Sequence, residues 1–168
     1  MVIRLMVSKE YKSVVNDNIF LEFKEQRGIN LFNHSANSNS IEDFISVSYV
    51  LCPDIIDIDG YVFILDFFKS VGDEMENPIA KLQSFKKQYN NDKKKIEIMV
   101  NSWSFGDFFI GKNCVSMENE KILLQFGDIL VYNWTRRAKE IFPNRNIIVE
   151  YGNGIGGELG LSITLFEY

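Results

Sequence analysis

A single histidine and two cysteines stand among 168 residues. One histidine cannot make a two-histidine metal set or a His–His acid–base pair. Cys52 and Cys114 lie far apart and neither belongs to a C-x-x-C pair, so a disulfide framework is excluded along with His-rich zinc chemistry. Prolines number 3 and glycines 11, with no low-complexity tract. That composition excludes collagen-like and disordered classes and linker arrays. Cations are outnumbered, 18 Lys and Arg against 23 Asp and Glu, for a net charge of −5 and a pI near 5.0. Such a balance disfavours nonspecific binding to phosphate backbones. The longest nearly uncharged apolar run, Phe44–Leu51, is far short of the ~20 residues that span a bilayer. Met1–Val7 contains Arg4 and is followed at once by Lys9 and Glu10, which is not a secretory signal pattern. The expected state is a cytoplasmic chain with two reduced, mostly buried thiols. With 46% hydrophobic and 24% charged residues, the chain has enough apolar material for one domain over 1–168.

Hydrophobic periodicity orders most of the chain after the first forty residues, which fit neither a helical nor a strand period. Asn33–Ser40 reads as a loop, because its short polar side chains compete for backbone hydrogen bonds. Phe44–Leu51 alternates and is rich in β-branched and aromatic residues, so it reads as a strand ending at Pro53. Asp59-Gly60 between Ile55–Ile58 and Tyr61–Phe68 signals a two-residue hairpin that sets Ile58 opposite Tyr61 and Ile56 opposite Phe63. Asn77 and Pro78 open a helix with Ile79, Leu82, Phe85 and Tyr89 on one stripe. Further strands are expected at Ile96–Asn101, Phe108–Gly111, Ile122–Phe126, Ile147–Tyr151 and Leu159–Tyr168. A second helix is expected from Asp128 to Phe142, stopped by Pro143. In the last strand Leu159, Leu161, Ile163 and Leu165 face one way, and Ser162 and Thr164 the other. The fold class is α+β, a mainly antiparallel sheet built from hairpins with two or more helices packed on it.

Motifs for chemistry dissolve on inspection. Gly152–Gly157 matches G-x-G-x-x-G, but the residues after Gly157 read as a strand, whereas a dinucleotide site needs a helix there and, about twenty residues on, an acid. It is a hairpin loop. Asp57-Ile58-Asp59-Gly60 resembles a calcium loop, yet the first ligand position would fall on Ile55, which has no oxygen in its side chain. His34 reads as an exposed loop residue, and a Cys–His nucleophile pair would need Cys52 or Cys114 beside it in space. Trp103, Phe105, Phe108 and Phe109 lack the basic groove a base-stacking platform needs, so they read as core or interface edge. Arg136, Arg137 and Lys139 read as a solvated helix face. No cofactor and no metal site is implied.

Charge, by contrast, is segregated. Residues 42–76 hold nine carboxylates against Lys69 alone, and residues 147–168 add Glu150, Glu158 and Glu167 with no base. Residues 77–95 carry six lysines, Lys81 to Lys95, against Asp92. A small acidic α+β chain with the segment Glu42–Glu76 and the aromatic-rich stretches Tyr61–Phe68 and Gly160–Tyr168 resembles bacterial immunity proteins of contact-dependent growth inhibition and related polymorphic toxin systems. The resemblance implies a cytoplasmic protein that binds and blocks a toxic effector domain, commonly a nuclease. A nuclease cleft attracts phosphate and is therefore basic, so carboxylates can occupy it in place of nucleic acid. The expected partner-binding residues are Asp54, Asp57, Asp59, Asp73, Glu74 and Glu76. Two other classes stay open. One is a small enzyme using two acids among Asp54, Asp57, Asp59 and Asp66. The other is a nucleic-acid-binding module using Lys81–Lys95.

Overall fold

The structure, a computed structural model, describes residues 10–72, 77–111 and 114–168. Asp73, Glu74 and Glu76 lie outside the described residues. The chain runs through a 3-10 segment (Asp17–Glu22), α1 (Leu31–Ser38), α2 (Ile41–Leu51), β1 (Ile55–Ile58), β2 (Tyr61–Ile64), α3 (Leu65–Ser70), α4 (Pro78–Gln88) and α5 (Lys93–Asn101). It continues through β3 (Trp103–Ser104), 3-10 turns at Phe105–Phe109 and Val115–Glu118, and the long α6 (Glu120–Ile141). β4 (Ile147–Asn153), a 3-10 turn at Ile155–Gly157 and β5 (Leu161–Glu167) complete the chain. The fold is α+β, with a β1-β2 hairpin and a three-stranded antiparallel sheet in the order β3-β5-β4.

The hairpin has the expected register, Ile58 opposite Tyr61 and Ile56 opposite Phe63. Its turn requires positive φ twice, at Asp59 (52°) and Gly60 (80°). Four segments expected as strands are not strands. Phe44–Leu51 lies in α2, because Ser40 and Asp43 form a reciprocal capping box at its start. Ile96–Asn101 lies in α5, opened by the Asp92 carboxylate accepting the Lys95 N–H at 3.0 Å. Ile122–Phe126 forms the opening turns of α6, whose N-cap Asn119 accepts the Ile122 N–H; the expected helix from Asp128 is only its remainder. Phe108–Gly111 falls in a 3-10 turn and the turn after it. Asn33–Ser40, expected as a loop, is largely α1, capped by Asn30. β2 stops at Ile64 and turns directly into α3, so Tyr61–Phe68 is half strand and half helix.

Two cores form, one on each side of the hairpin. Val62, Ile64 and Phe67 join Phe105, Leu130, Trp134, Ala138, Val149, Ile163 and Leu165, where α6 covers one face of the β4-β5 sheet. Tyr61, Phe63 and Phe68 join Ile58, Leu82, Phe85, Ile96 and Val100 under α4 and α5. The alternation of β5 is as expected; the face that carries Ser162 and Thr164 is buried too, and Thr164 Oγ1 donates to the Ile98 carbonyl of α5. Leu159 precedes the strand and is exposed.

Between β2 and the part of β5 that runs past its short pairing with β3 stand two fully buried side chains of α5, Glu97 and Asn101. Four residues apart, they share one helix face. Glu97 accepts the N–H groups of Val62 (2.9 Å) and Glu167 (2.8 Å). Asn101 accepts the Ile64 N–H (2.9 Å) and donates to the carbonyls of Val62 (2.9 Å) and Leu165 (2.8 Å). Backbone groups that a continuous sheet would pair strand to strand are satisfied here by side chains. Burial pushes the Glu97 carboxyl up from its ordinary range, against the pull of the two N–H donors.

Candidate partner-binding surface

The three described acids of the expected site occupy two different settings. Asp57 and Asp59 sit on the hairpin, and each meets a cation of the same chain. Arg145 Nη1 donates to Asp57. The same guanidinium donates from Nε and Nη2 to the two carboxylate oxygens of Glu167 at 2.9 and 2.8 Å, and from Nη2 to the Gly60 carbonyl at 2.7 Å. Lys93 adds a further bond to Glu167. This fork-on-fork geometry is the strong form of ion pairing. The Arg145 hydrogen bond holds the Glu167 carboxyl down to about 2. Asp59 accepts from Lys86 at 2.6 Å, which holds its carboxyl below the ordinary range. Lys86 and Lys93 also lie over the Tyr61 ring, 4.8 and 5.8 Å from its centroid. These contacts tie the hairpin to α4, α5 and β5.

Asp54 is placed differently. It is exposed in the connection between α2 and β1, and its charge acts on Tyr49. The Tyr49 hydroxyl donates to Asp66 Oδ2 at 2.6 Å, a bond that pushes the phenol up to about 12, with burial and then the Asp66 and Asp54 charges adding to it. At the C-terminal end of α2, one tyrosine is thus bonded to one carboxylate and feels the charge of a second. From Arg27 to Lys69 the chain contains no intervening Lys or Arg, and it holds Glu42, Asp43, Asp54, Asp57, Asp59 and Asp66. Among the described residues, neither Glu42 nor Asp54 has an ion-pair partner.

Tyr49 and Asp66 are not among the expected partner-binding residues, Asp66 standing only among the acids of the enzyme alternative, and the Tyr49–Asp66 contact joins residues seventeen apart in sequence. The signal that could have found them is the Ser40-x-x-Asp43 spacing, which marks a helix start and fixes which residues share a face.

The lysine segment splits as well. Lys81 is buried, donating to the Lys69 carbonyl at 3.0 Å and lying over Phe68. Lys87, Lys94 and Lys95 remain exposed, with Lys94 over Phe166 and Tyr168 and Lys95 over Tyr89.

His34 is half-buried rather than exposed, packed edge-on against Phe20 and Phe23 with ring centroids 5.8 and 5.0 Å away. It lines a cleft of about 610 Å³ together with Cys114, Ser38, Ser116 and Arg27. Cys52 is elsewhere, at the C-terminal cap of α2. His34 Nδ1 accepts the Arg27 N–H at 3.1 Å, which anchors the Arg27 loop, and Nε2 lies 3.5 Å from Ser38 Oγ. The aromatic cluster packs inward as expected: Trp103 stacks on Phe67 at 4.5 Å, and Phe105, Phe108 and Phe109 all meet Phe126.

No helix among the described residues is long and apolar enough to cross a membrane. Comparison with protein-family models, with curated proteins and with solved structures finds no match to the chain.

Proposed function

We propose that the chain is an immunity protein that acts in the cytoplasm, binding a cognate toxin domain, a nuclease, and holding it inactive by laying an acidic surface into its basic cleft. The observation that supports this most is the stretch between Arg27 and Lys69, which holds six carboxylates and no Lys or Arg, and in which Glu42 and Asp54 are exposed and, among the described residues, have no ion-pair partner. Carboxylates that no cation among the described residues answers project a negative field, which steers a basic partner and speeds its association. Asp57 and Asp59 stand in a separate setting on the hairpin, their charges partly spent on Arg145 and Lys86. Asp54 is therefore the stronger binding residue of the three.

The test uses the toxin domain of a secreted effector encoded beside this gene. The purified chain should abolish its nuclease activity at near-equimolar ratio, and the association rate should fall at least tenfold between about 0.05 and 0.5 M salt, as screening of exposed charges requires. Asp54→Lys with Glu42→Lys should slow association by a similar factor. A toxin that keeps its activity in excess of this chain, or an association rate indifferent to salt, overturns the reading.

A further inference from the structure

Helix α2 is apolar along most of its length, with Ile41, Phe44, Ile45, Val47, Tyr49, Val50 and Leu51 among eleven residues. A helix of that composition belongs inside a core. Yet none of its residues is buried; Ile41 is 76% exposed, Ile45 65%, Val47 55% and Phe44 54%. Among the described residues its last turn is what engages the molecule, where the Val50 carbonyl accepts Trp134 Nε1 at 2.9 Å and Val50 and Leu51 pack against the core. Ile41, Ile45 and Tyr49 are spaced by four, so they form one row along the helix. Glu42 lies beside that row, three residues before Ile45; at its far end Asp66 accepts the Tyr49 hydroxyl, and Asp54 follows the helix in the connection to β1, its charge acting on the same phenol.

We propose that this row, with Phe44 and Val47 beside it, is a docking surface for a protein partner that offers an apolar patch rimmed by Lys or Arg. Charge complementarity selects that occupant. A second copy docked on the same face across a two-fold axis would bring the acids of one patch, Glu42, Asp54 and Asp66, against the acids of the other, since a symmetric contact pairs like patches. An anionic lipid surface would meet the same repulsion. A basic-rimmed apolar surface instead buries the row and places cations against the carboxylates at both ends. The inference takes only the sign of the partner's charge from the function proposed above; the apolar contact is its own claim.

The experiment uses the full chain and a fluorescently labelled amphipathic helical peptide built of leucine and lysine, read by anisotropy at about 0.05 and 0.5 M salt. A matched peptide with glutamate in place of lysine is the control. The parent chain should bind the lysine peptide and not the glutamate peptide. Ile45→Ser with Val47→Ser should weaken binding roughly tenfold at both salt concentrations, while Asp54→Asn should weaken it only at low salt. Ile41→Ser, the most exposed of the row, repeats the apolar test should the double variant lose its thermal transition. Unchanged affinity in the serine variants overturns the docking surface while leaving an electrostatic inhibitor standing. Equal binding of the glutamate peptide, a concentration-dependent dimer dissolved by Ile45→Ser, or equal capture by phosphatidylglycerol vesicles also overturns it. A neighbouring toxin that is not inhibited, with the peptide result intact, removes the immunity reading and leaves this surface in place.

Discussion

Glu167 shows how much one arrangement of side chains can bias a proton. Two bonds from Arg145 and one from Lys93 hold its carboxyl to about 2, against an ordinary value of 4.5. Because the folded state lowers this pKa, the group stabilises the fold above the unfolded value, and that contribution is lost as pH falls from about 4.5 through about 2. Glu97 runs the opposite way, since burial raises its carboxyl. Its ionised form is costly in the fold, and any stability it adds through protonation is present at low pH and lost as pH rises past its folded value. Arg145→Met should therefore lower the melting temperature at neutral pH and flatten its decline in acid, because Glu167 is then released towards its ordinary range. Thermal melts at a series of pH values from about 6 to about 2 check this; an acid decline as steep as the parent's would show that Arg145 is not what holds Glu167.

At the scale of elements, end signals decided more than hydrophobic period. The Asp59-Gly60 hairpin and the Asn77-Pro78 helix start were legible because their turn and cap chemistry is local and specific to one backbone shape. The segments in α2, α5 and the start of α6 were misread because short runs of β-branched and aromatic residues look alike in strand and helix. In each case an Asx or Ser side chain at the N-cap, namely Ser40, Asp92 and Asn119, was the deciding feature. The candidate site inherited that error: Asp54 was visible as a charge, but its setting beside Tyr49 and Asp66 depends on α2 being a helix and on contacts between residues distant in sequence. Since α2 buries so little, its cap should matter locally. Ser40→Ala removes the acceptor for the Asp43 N–H and should cost about 1 kcal/mol of helix stability. Amide exchange across Phe44–Tyr49 should quicken several-fold while the global melt barely moves; unchanged exchange there would mean that the cap does not hold the helix. Gly127 is a contrasting case within α6. Alanine is the better helix former by ~1 kcal/mol, yet a Cβ at Gly127 would stand 2.7–2.8 Å from the Tyr151 ring, which is itself bonded to Asp128. Gly127→Ala should destabilise by roughly 1–3 kcal/mol in urea unfolding, since overpacking against a fixed ring outweighs propensity.

Across the whole molecule, two apolar cores share one polar joint. Both tryptophans, Trp103 and Trp134, belong to the core under α6, whereas Leu82, Phe85, Ile96 and Val100 belong to the other. β2 contributes to both, packing Val62 and Ile64 with Ile163 and Leu165 of β5, and Glu97 and Asn101 carry the hydrogen bonds that link its backbone to that of β5. Asn101 alone answers three buried backbone groups, and its removal leaves Ile64 N–H and the carbonyls of Val62 and Leu165 without these partners. At about 1–3 kcal/mol for each unsatisfied group, Asn101→Ala should cost about 3 kcal/mol or more. The larger consequence concerns cooperativity. In the parent chain, urea unfolding followed by tryptophan fluorescence and by far-ultraviolet circular dichroism should give one midpoint. In Asn101→Ala the two should separate, because fluorescence follows only the core under α6 while dichroism follows the helices of both. Coincident midpoints at reduced stability would instead assign the coupling to the apolar contacts of β2 and α5, with the Glu97–Asn101 joint contributing energy but not unity.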